Sequence, residues 1–149
     1  MDALVAAGAG FLLAVLWFDL MFDAQALRRS EGELPEEVLA SVGGYYRRVT
    51  TEARPMDRLV ALFMLVTLGG IVAEIVRGDG PEWVGWASLV LAVAPIGLAA
   101  TRTLPRAVRL GARTDSAEQQ SAMARAIGRE HLFCLVSIVA LLVLQVVSA

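Results

Sequence analysis

Four stretches of the chain are long, apolar and free of charge at their centres. Ala3 to Phe18 carries no charged residue, and the apolar pattern continues past Asp19 to Phe22. Leu59 to Ala73 behaves the same way and continues past Glu74 to Val76. Trp83 to Thr101 has no charge, and His131 to Ala149 has none while His131 is neutral. Each window is about 18–20 residues, which at ~1.5 Å per residue gives roughly 27–30 Å, the thickness of a bilayer's hydrocarbon core. Helices of a soluble bundle need a polar face, and the third window offers only Ser88 and the terminal Thr101. The pattern predicts an all-α fold: an integral membrane four-helix transmembrane bundle, with spans at about 3–22, 57–77, 83–101 and 131–148 in one membrane domain, 1–149.

The connections are uneven. Residues 23–56 and 102–130 form two long ones, and Gly78-Asp79-Gly80-Pro81 is a tight-turn sequence between spans two and three. Pro35 followed by Glu36 and Glu37 predicts a helix start, with acids facing the N-terminal dipole. Val38, Val42, Tyr45 and Val49 then share a face, so the first connection is read as an interfacial helix with Tyr45 and Tyr46 at headgroup level. Asp115-Ser116-Ala117-Glu118-Gln119 predicts an N-cap for a helix that runs on into span four and projects beyond the membrane.

Charge sets an expected orientation. The first connection carries Arg28, Arg29, Arg47, Arg48 and Arg54; the third carries Arg102, Arg106, Arg109, Arg113, Arg125 and Arg129. The positive-inside rule then makes both long connections cytoplasmic and puts both termini on the other side. Trp83 and Trp86 suit the outer interface. The first span is expected to be retained: Asp2 is its only early charge, and it ends in Trp17-Phe18-Asp19-Leu20-Met21-Phe22, which is no small-residue cleavage site. A bacterial inner membrane is the expected location.

Composition narrows the chemistry. Of 149 residues 57% are hydrophobic and 19% charged, which excludes a disordered chain. The net charge of −2 gives no case for nucleic acid. One Cys (Cys134) and one His (His131) exclude an intrachain disulfide, a bis-His haem and a three-His zinc site within one chain.

Charges in or beside a span need a named partner. Asp19 and Asp23 lie four apart on one helical face, at the depth of Arg58, Arg102, Glu130 and His131. Asp19 is either a salt bridge to Arg102 or Arg58 that fixes helix register, or a proton relay or substrate anchor. Asp23 is either solvated at the helix end or part of the same site. His131 is either an interfacial cap or a general base; with two carboxylates nearby, a non-haem iron set is a further reading. The candidate catalytic residues are therefore His131 and Asp19. Asp23, Arg102, Arg106 and Arg47 are candidates for binding a substrate or partner. Arg102, Arg106, Arg109 and Arg113, spaced four, three and four, form one stripe that serves either anionic headgroups or an anionic ligand. Glu74 reads as an i,i+3 pair with Arg77, and Ala6, Gly10 and Ala14 form a small-residue stripe for helix packing. No metal site, phosphate loop or nucleophile motif is identified.

The layout resembles the anthrone-oxygenase-like group of small four-helix membrane proteins. The likeness rests on the chain length, the long first loop, the tight second turn and the basic third loop. Tyr45-Tyr46-Arg47-Arg48 followed by Ala53-Arg54-Pro55-Met56, and His131 opening span four, add to it. The resemblance implies oxygenase-type chemistry on a small hydrophobic molecule. Three functions stay open. The first is a site at the cytoplasmic rim for a small hydrophobic or amphipathic molecule, with redox chemistry as one version of it and no cofactor specified. The second is a non-catalytic subunit or assembly partner of a larger membrane complex. The third is an oligomeric transporter or channel, for which no span supplies a mid-membrane charge. Expected partners are the bilayer, anionic lipid headgroups, and a homo-oligomer or larger membrane complex.

Overall fold

The structure, a computed structural model, describes residues 3–29 and 31–148. The two chain ends, whose side of the membrane the sequence predicts, lie outside the described residues, as do the side chains of Arg54 and Pro55. The described chain is all helical: α1 (Ala3–Leu27), α2 (Glu36–Arg47), α3 (Arg54–Arg77), α4 (Glu82–Leu98), α5 (Leu104–Ala112) and α6 (Ala117–Val147). One π turn, Arg48–Glu52, leads from α2 toward α3, and another, Ala99–Thr103, joins α4 to α5.

Four helices are long and apolar enough to cross a membrane: Ala3–Leu27, Met56–Arg77, Glu82–Ala112 and Ala117–Val147. Three of them, Ala3–Leu27, Glu82–Ala112 and Ala117–Val147, outrun the predicted spans. At ~1.5 Å per residue the 31 residues of α6 reach about 46 Å, against a hydrocarbon core of ~30 Å. The surplus lies at the N-terminal end of α6, as its N-cap predicts: Ser116 Oγ accepts from Gln119 N–H at 3.3 Å.

Both π turns lie just before a proline, Pro55 or Pro105, which has no N–H to offer. In each turn the next amide reaches back five residues: Ala53 N–H to the Arg48 carbonyl, and Leu104 N–H to the Ala99 carbonyl. At the opposite end α3 stops at Gly78, whose φ of 70° is left-handed and cheap only for glycine.

The spans form a square in which α1 packs on α3 and α6, and α4 packs on α3 and α6. Its apolar core holds Val5, Ala9, Ile71, Ala92, Ile138 and Leu141. A second core, of Ala26, Leu34, Leu39, Val42, Tyr46, Ala107, Leu110, Ala124 and Ile127, lies where α2 and α5 cap the bundle. Two glycines let α2 and α5 touch. A Cβ on Gly111 would lie 2.8 Å from the Arg47 backbone nitrogen, and one on Gly43 3.1 Å from the Leu110 carbonyl oxygen. The close approach of α1 to α3 does not use the predicted small-residue stripe. Gly10 and Ala14 are exposed; contact is made instead by Gly8, where a Cβ would run into Thr67 Oγ1, and by Gly70 against Val5.

Candidate functional site

The capped end of the bundle holds a buried polar cluster between the two cores. Asp19 and Asp23 come from α1, Tyr45 and Tyr46 from α2, and His131 from α6. Asp19 is sixteen residues from Ala3 and His131 sixteen residues from Val147, so both stand ~24 Å from the other end of the bundle.

His131 sits between two carboxylates. Its Nδ1 is 2.7 Å from Asp23 Oδ2, and its Nε2 is 3.8 Å from Asp19 Oδ2. An ionised carboxylate only accepts, so the short contact puts a proton on Nδ1. Asp23, with no exposed surface, also accepts from the Tyr46 hydroxyl at 2.6 Å. Asp19 accepts from the Tyr45 hydroxyl at 2.6 Å. Tyr45 is held by stacking on Phe22, with ring centroids 4.1 Å apart. The cluster is thus two hydrogen-bonded segments, Tyr45–Asp19 and Tyr46–Asp23–His131, built from the consecutive helices α1 and α2 and the remote α6.

Burial pushes both tyrosine hydroxyls well above their ordinary range. The Asp19 carboxylate raises Tyr45 further, and the Asp23 carboxylate does the same for Tyr46. A negative neighbour opposes a second negative charge, so both phenols stay neutral and act as donors.

The structure brings Asp19, Asp23 and His131 together, as the sequence suggests, but not Arg102. Arg102 is exposed and Tyr45 and Tyr46 stand in its place. Those two tyrosines also depart from the headgroup placement: Tyr46 is 2% exposed and its hydroxyl points inward. Arg106 forms an ion pair with Glu130, whose other oxygen accepts from Thr103 at 2.8 Å. Arg47 pairs with Glu52 at 3.1 Å on the surface. Arg109 is bonded to Asp115 and Arg113 to Glu36, each at 2.7 Å. Three of the four stripe arginines are therefore already paired within the chain.

The two carboxylates face opposite ring nitrogens of His131, so they cannot converge with it on one ion. Among the described residues no group of three His, Cys, Asp or Glu side chains is placed to hold a metal. The iron reading has no geometry behind it.

A second polar node lies near the far end. Gln145 of α6 donates to Glu74 Oε2 of α3 at 2.9 Å and to Ser88 Oγ of α4 at 3.1 Å, and all three residues are buried. Glu74 therefore turns into the bundle, while Arg77 binds Asp79 in the turn at 2.6 Å. The sequence signal for this node was a lone Gln in an otherwise apolar window.

The chain is a four-span membrane protein in which Asp23, His131, Glu74 and Gln145 are buried and bonded across helices. The chain belongs to the SHR3 chaperone family, described as ER membrane protein SH3, whose family model matches residues 1–148. This match overturns the anthrone-oxygenase-like resemblance, whose supports were outline features that many four-span proteins share. No curated protein and no solved structure matches the chain.

Proposed function

We propose that this protein is a non-catalytic, membrane-embedded chaperone or assembly partner of other membrane proteins. The observation that carries the reading is the family match over nearly the whole chain. The chemistry of the bundle agrees with it. Asp23, His131 and Glu74 are buried and bonded to neighbouring helices, which suits holding helices in register. The outward faces of the spans are apolar: Leu62, Leu65 and Val72 on α3, and Val136, Val139 and Val143 on α6, are exposed. Such faces are free to pack against lipid or against another protein's spans.

The family's description favours the ER membrane and gives no support to a bacterial inner membrane. The arginine-rich connections 23–56 and 102–130 are assigned to the cytoplasmic side. Deletion of the gene in the native host, followed by sedimentation of detergent-solubilised membranes, tests the function. A subset of multi-span proteins should shift into the aggregated fraction and return when the chain is restored. An unchanged membrane proteome would end the proposal.

One observation favours a second reading, a small-molecule site at the same rim. The 3.8 Å between His131 Nε2 and Asp19 Oδ2 is too long for a hydrogen bond and leaves room for a polar group of a ligand to reach both. In that reading His131 is the acid–base group and Asp19 orients it, while Asp23 holds the imidazole. Arg102, Arg106 and Arg47 stand outside the cluster, two of them in ion pairs of their own. A ligand that copurifies with wild type and is lost from His131→Ala would favour this reading.

A further inference from the structure

The cluster at the capped end buries two carboxylates without an arginine. Among the described residues, Asp23 is bonded by Tyr46 and His131, and Asp19 by Tyr45, with His131 next at 3.8 Å. The Asp23 side chain has no exposed surface, and that of Asp19 is 14% exposed. Charge taken out of water needs an opposite charge beside it. The elements packed around the cluster offer one source. α2 supplies two neutral tyrosines, with Arg47 turned out to Glu52. α5 spends Arg106 on Glu130 and Arg109 on Asp115, and the π turn before it leaves Arg102 exposed. The charged residue of α4 is Glu82, at the opposite end. On α6 itself Arg125 binds the carbonyls of Arg29 and Gly32, Arg129 is exposed, and the Cys134 thiol faces the Pro95 carbonyl at 3.8 Å. What remains is the imidazole of His131.

The geometry of the ring points the same way. Nδ1 carries a proton, because it meets the Asp23 carboxylate at 2.7 Å. In a neutral ring Nε2 would then hold a lone pair. That lone pair would face Asp19 Oδ2 at 3.8 Å, two acceptors with no proton between them. A second proton, on Nε2, turns the repulsion into attraction. Tyr45 donates to Oδ1 of Asp19 and so leaves Oδ2 to the ring.

We propose that His131 is a doubly protonated imidazolium in the folded protein at neutral pH, and that its Nε2 proton is a pH-sensitive latch tying Asp19 of α1 to α6 beneath the α2 cap. Loss of that proton to water leaves the Nδ1–H bond to Asp23 in place and sets the Nε2 lone pair against Asp19. The Asp19 side of α1 then parts from α6. Tyr45, bonded to Asp19 and stacked on Phe22, moves with it. The latch needs no ligand and does not rest on the chaperone reading.

His131 is the chain's only histidine, so nitrogen NMR of the full chain in detergent, with isotope-labelled histidine, reports this ring alone. At about pH 7.5, above the ordinary histidine value of about 6.5, both ring nitrogens of wild type should be protonated. Asp19→Asn is the diagnostic variant. Its side-chain oxygen still accepts from Tyr45, while its amide can donate to an unprotonated Nε2. The ring of Asp19→Asn should therefore be neutral at that pH, with its one proton on Nδ1. Thermal melts read the latch itself. The wild-type midpoint should fall between about pH 6.5 and 9 as the Nε2 proton leaves, because that proton's contribution is complete only at the acid end. The Asp19→Asn midpoint should change little over the same range. Asp57→Asn, which removes an exposed carboxylate of α3, should behave as wild type. A wild-type ring that is neutral at about pH 7.5 would overturn the proposal. So would a ring whose titration is the same in Asp19→Asn as in wild type, since Asp19 would then not hold the proton.

Discussion

Asp23 and His131 are 108 residues apart in the chain, and their side chains meet at 2.7 Å inside the bundle. The contact ties the last turns of α1 to the middle of α6 at the level where α2 caps the spans. Removing one partner of a buried hydrogen bond leaves the other unsatisfied, which costs about 1–3 kcal/mol, and more where a charged group is involved. Asp23→Ala should therefore lower the unfolding midpoint in detergent strongly. His131→Ala should add little on top, with a coupling of about 0.5–3 kcal/mol in a double-mutant cycle. The Asp19–His131 cycle should give a smaller coupling, since that pair is 3.8 Å apart and Asp19 is partly exposed. Additive effects for Asp23 and His131 would show that the two do not act as a pair.

The pair was partly legible in the sequence. Spacing along the spans placed Asp19, Asp23 and His131 at one depth, because helical rise converts residue number into height. Height says nothing about which way a side chain faces. That is why Arg102 was expected in the cluster and stands outside it, while Tyr45 and Tyr46, which read as interface aromatics, turn inward. The same gap explains Gly8 and Gly70. The stretches of α1 and α3 around them carry only Thr67 as a polar side chain, so little marks the packing side, and the Ala6-Gly10-Ala14 stripe is equally suitable. The spans themselves were plain, since a window such as Trp83–Thr101 has no charge to place in water. Family membership was not legible, because loop lengths and one His define no motif.

The chain's two tyrosines are both in the cluster, so its phenolate absorbance reports the site alone. Their folded pKa values are raised above the unfolded value of about 10. At alkaline pH the unfolded chain therefore gives up its phenolic protons first. Their contribution to stability is present in full below pH 10 and is lost as pH rises through the shifted values. An alkaline titration in detergent should show no phenolate step near pH 10 while helicity is intact, with absorbance rising only as the protein unfolds. A reversible step near pH 10 in the folded state would mean that the hydroxyls are solvated.

Two glycines of the cap should respond to alanine with opposite signs. Gly44 is in the middle of α2 with nothing within 4 Å of an added Cβ, so Gly44→Ala should stabilise by about 0.5–1 kcal/mol through helix propensity. Gly111 faces the α2 backbone, where an added Cβ would lie 2.9 Å from Arg47 Cα. Gly111→Ala should force α2 and α5 apart and cost about 1–3 kcal/mol. Thermal melts followed by circular dichroism separate the two, and matching signs would mean that the cap is not packed as described.

The node at the far end makes a different demand, because a single side-chain amide joins three helices. Gln145 supplies its amide to both Glu74 and Ser88, at 2.9 and 3.1 Å, and so links α6 to α3 and α4. Gln145→Leu keeps the volume and removes the donors. A buried acceptor left unmade costs about 1–3 kcal/mol, and more when it is charged. Replacing both ends of a hydrogen bond by apolar groups is far cheaper than replacing one. The double variant Glu74→Leu/Gln145→Leu should therefore regain much of what Gln145→Leu loses. Ser88 is the remaining member, and its hydroxyl can turn to a carbonyl of its own helix. Unfolding of the three proteins in the same detergent decides the matter. Should the double variant prove less stable than Gln145→Leu, Glu74 would be holding the bundle through contacts other than Gln145, and the node would not be the link between α6 and its neighbours.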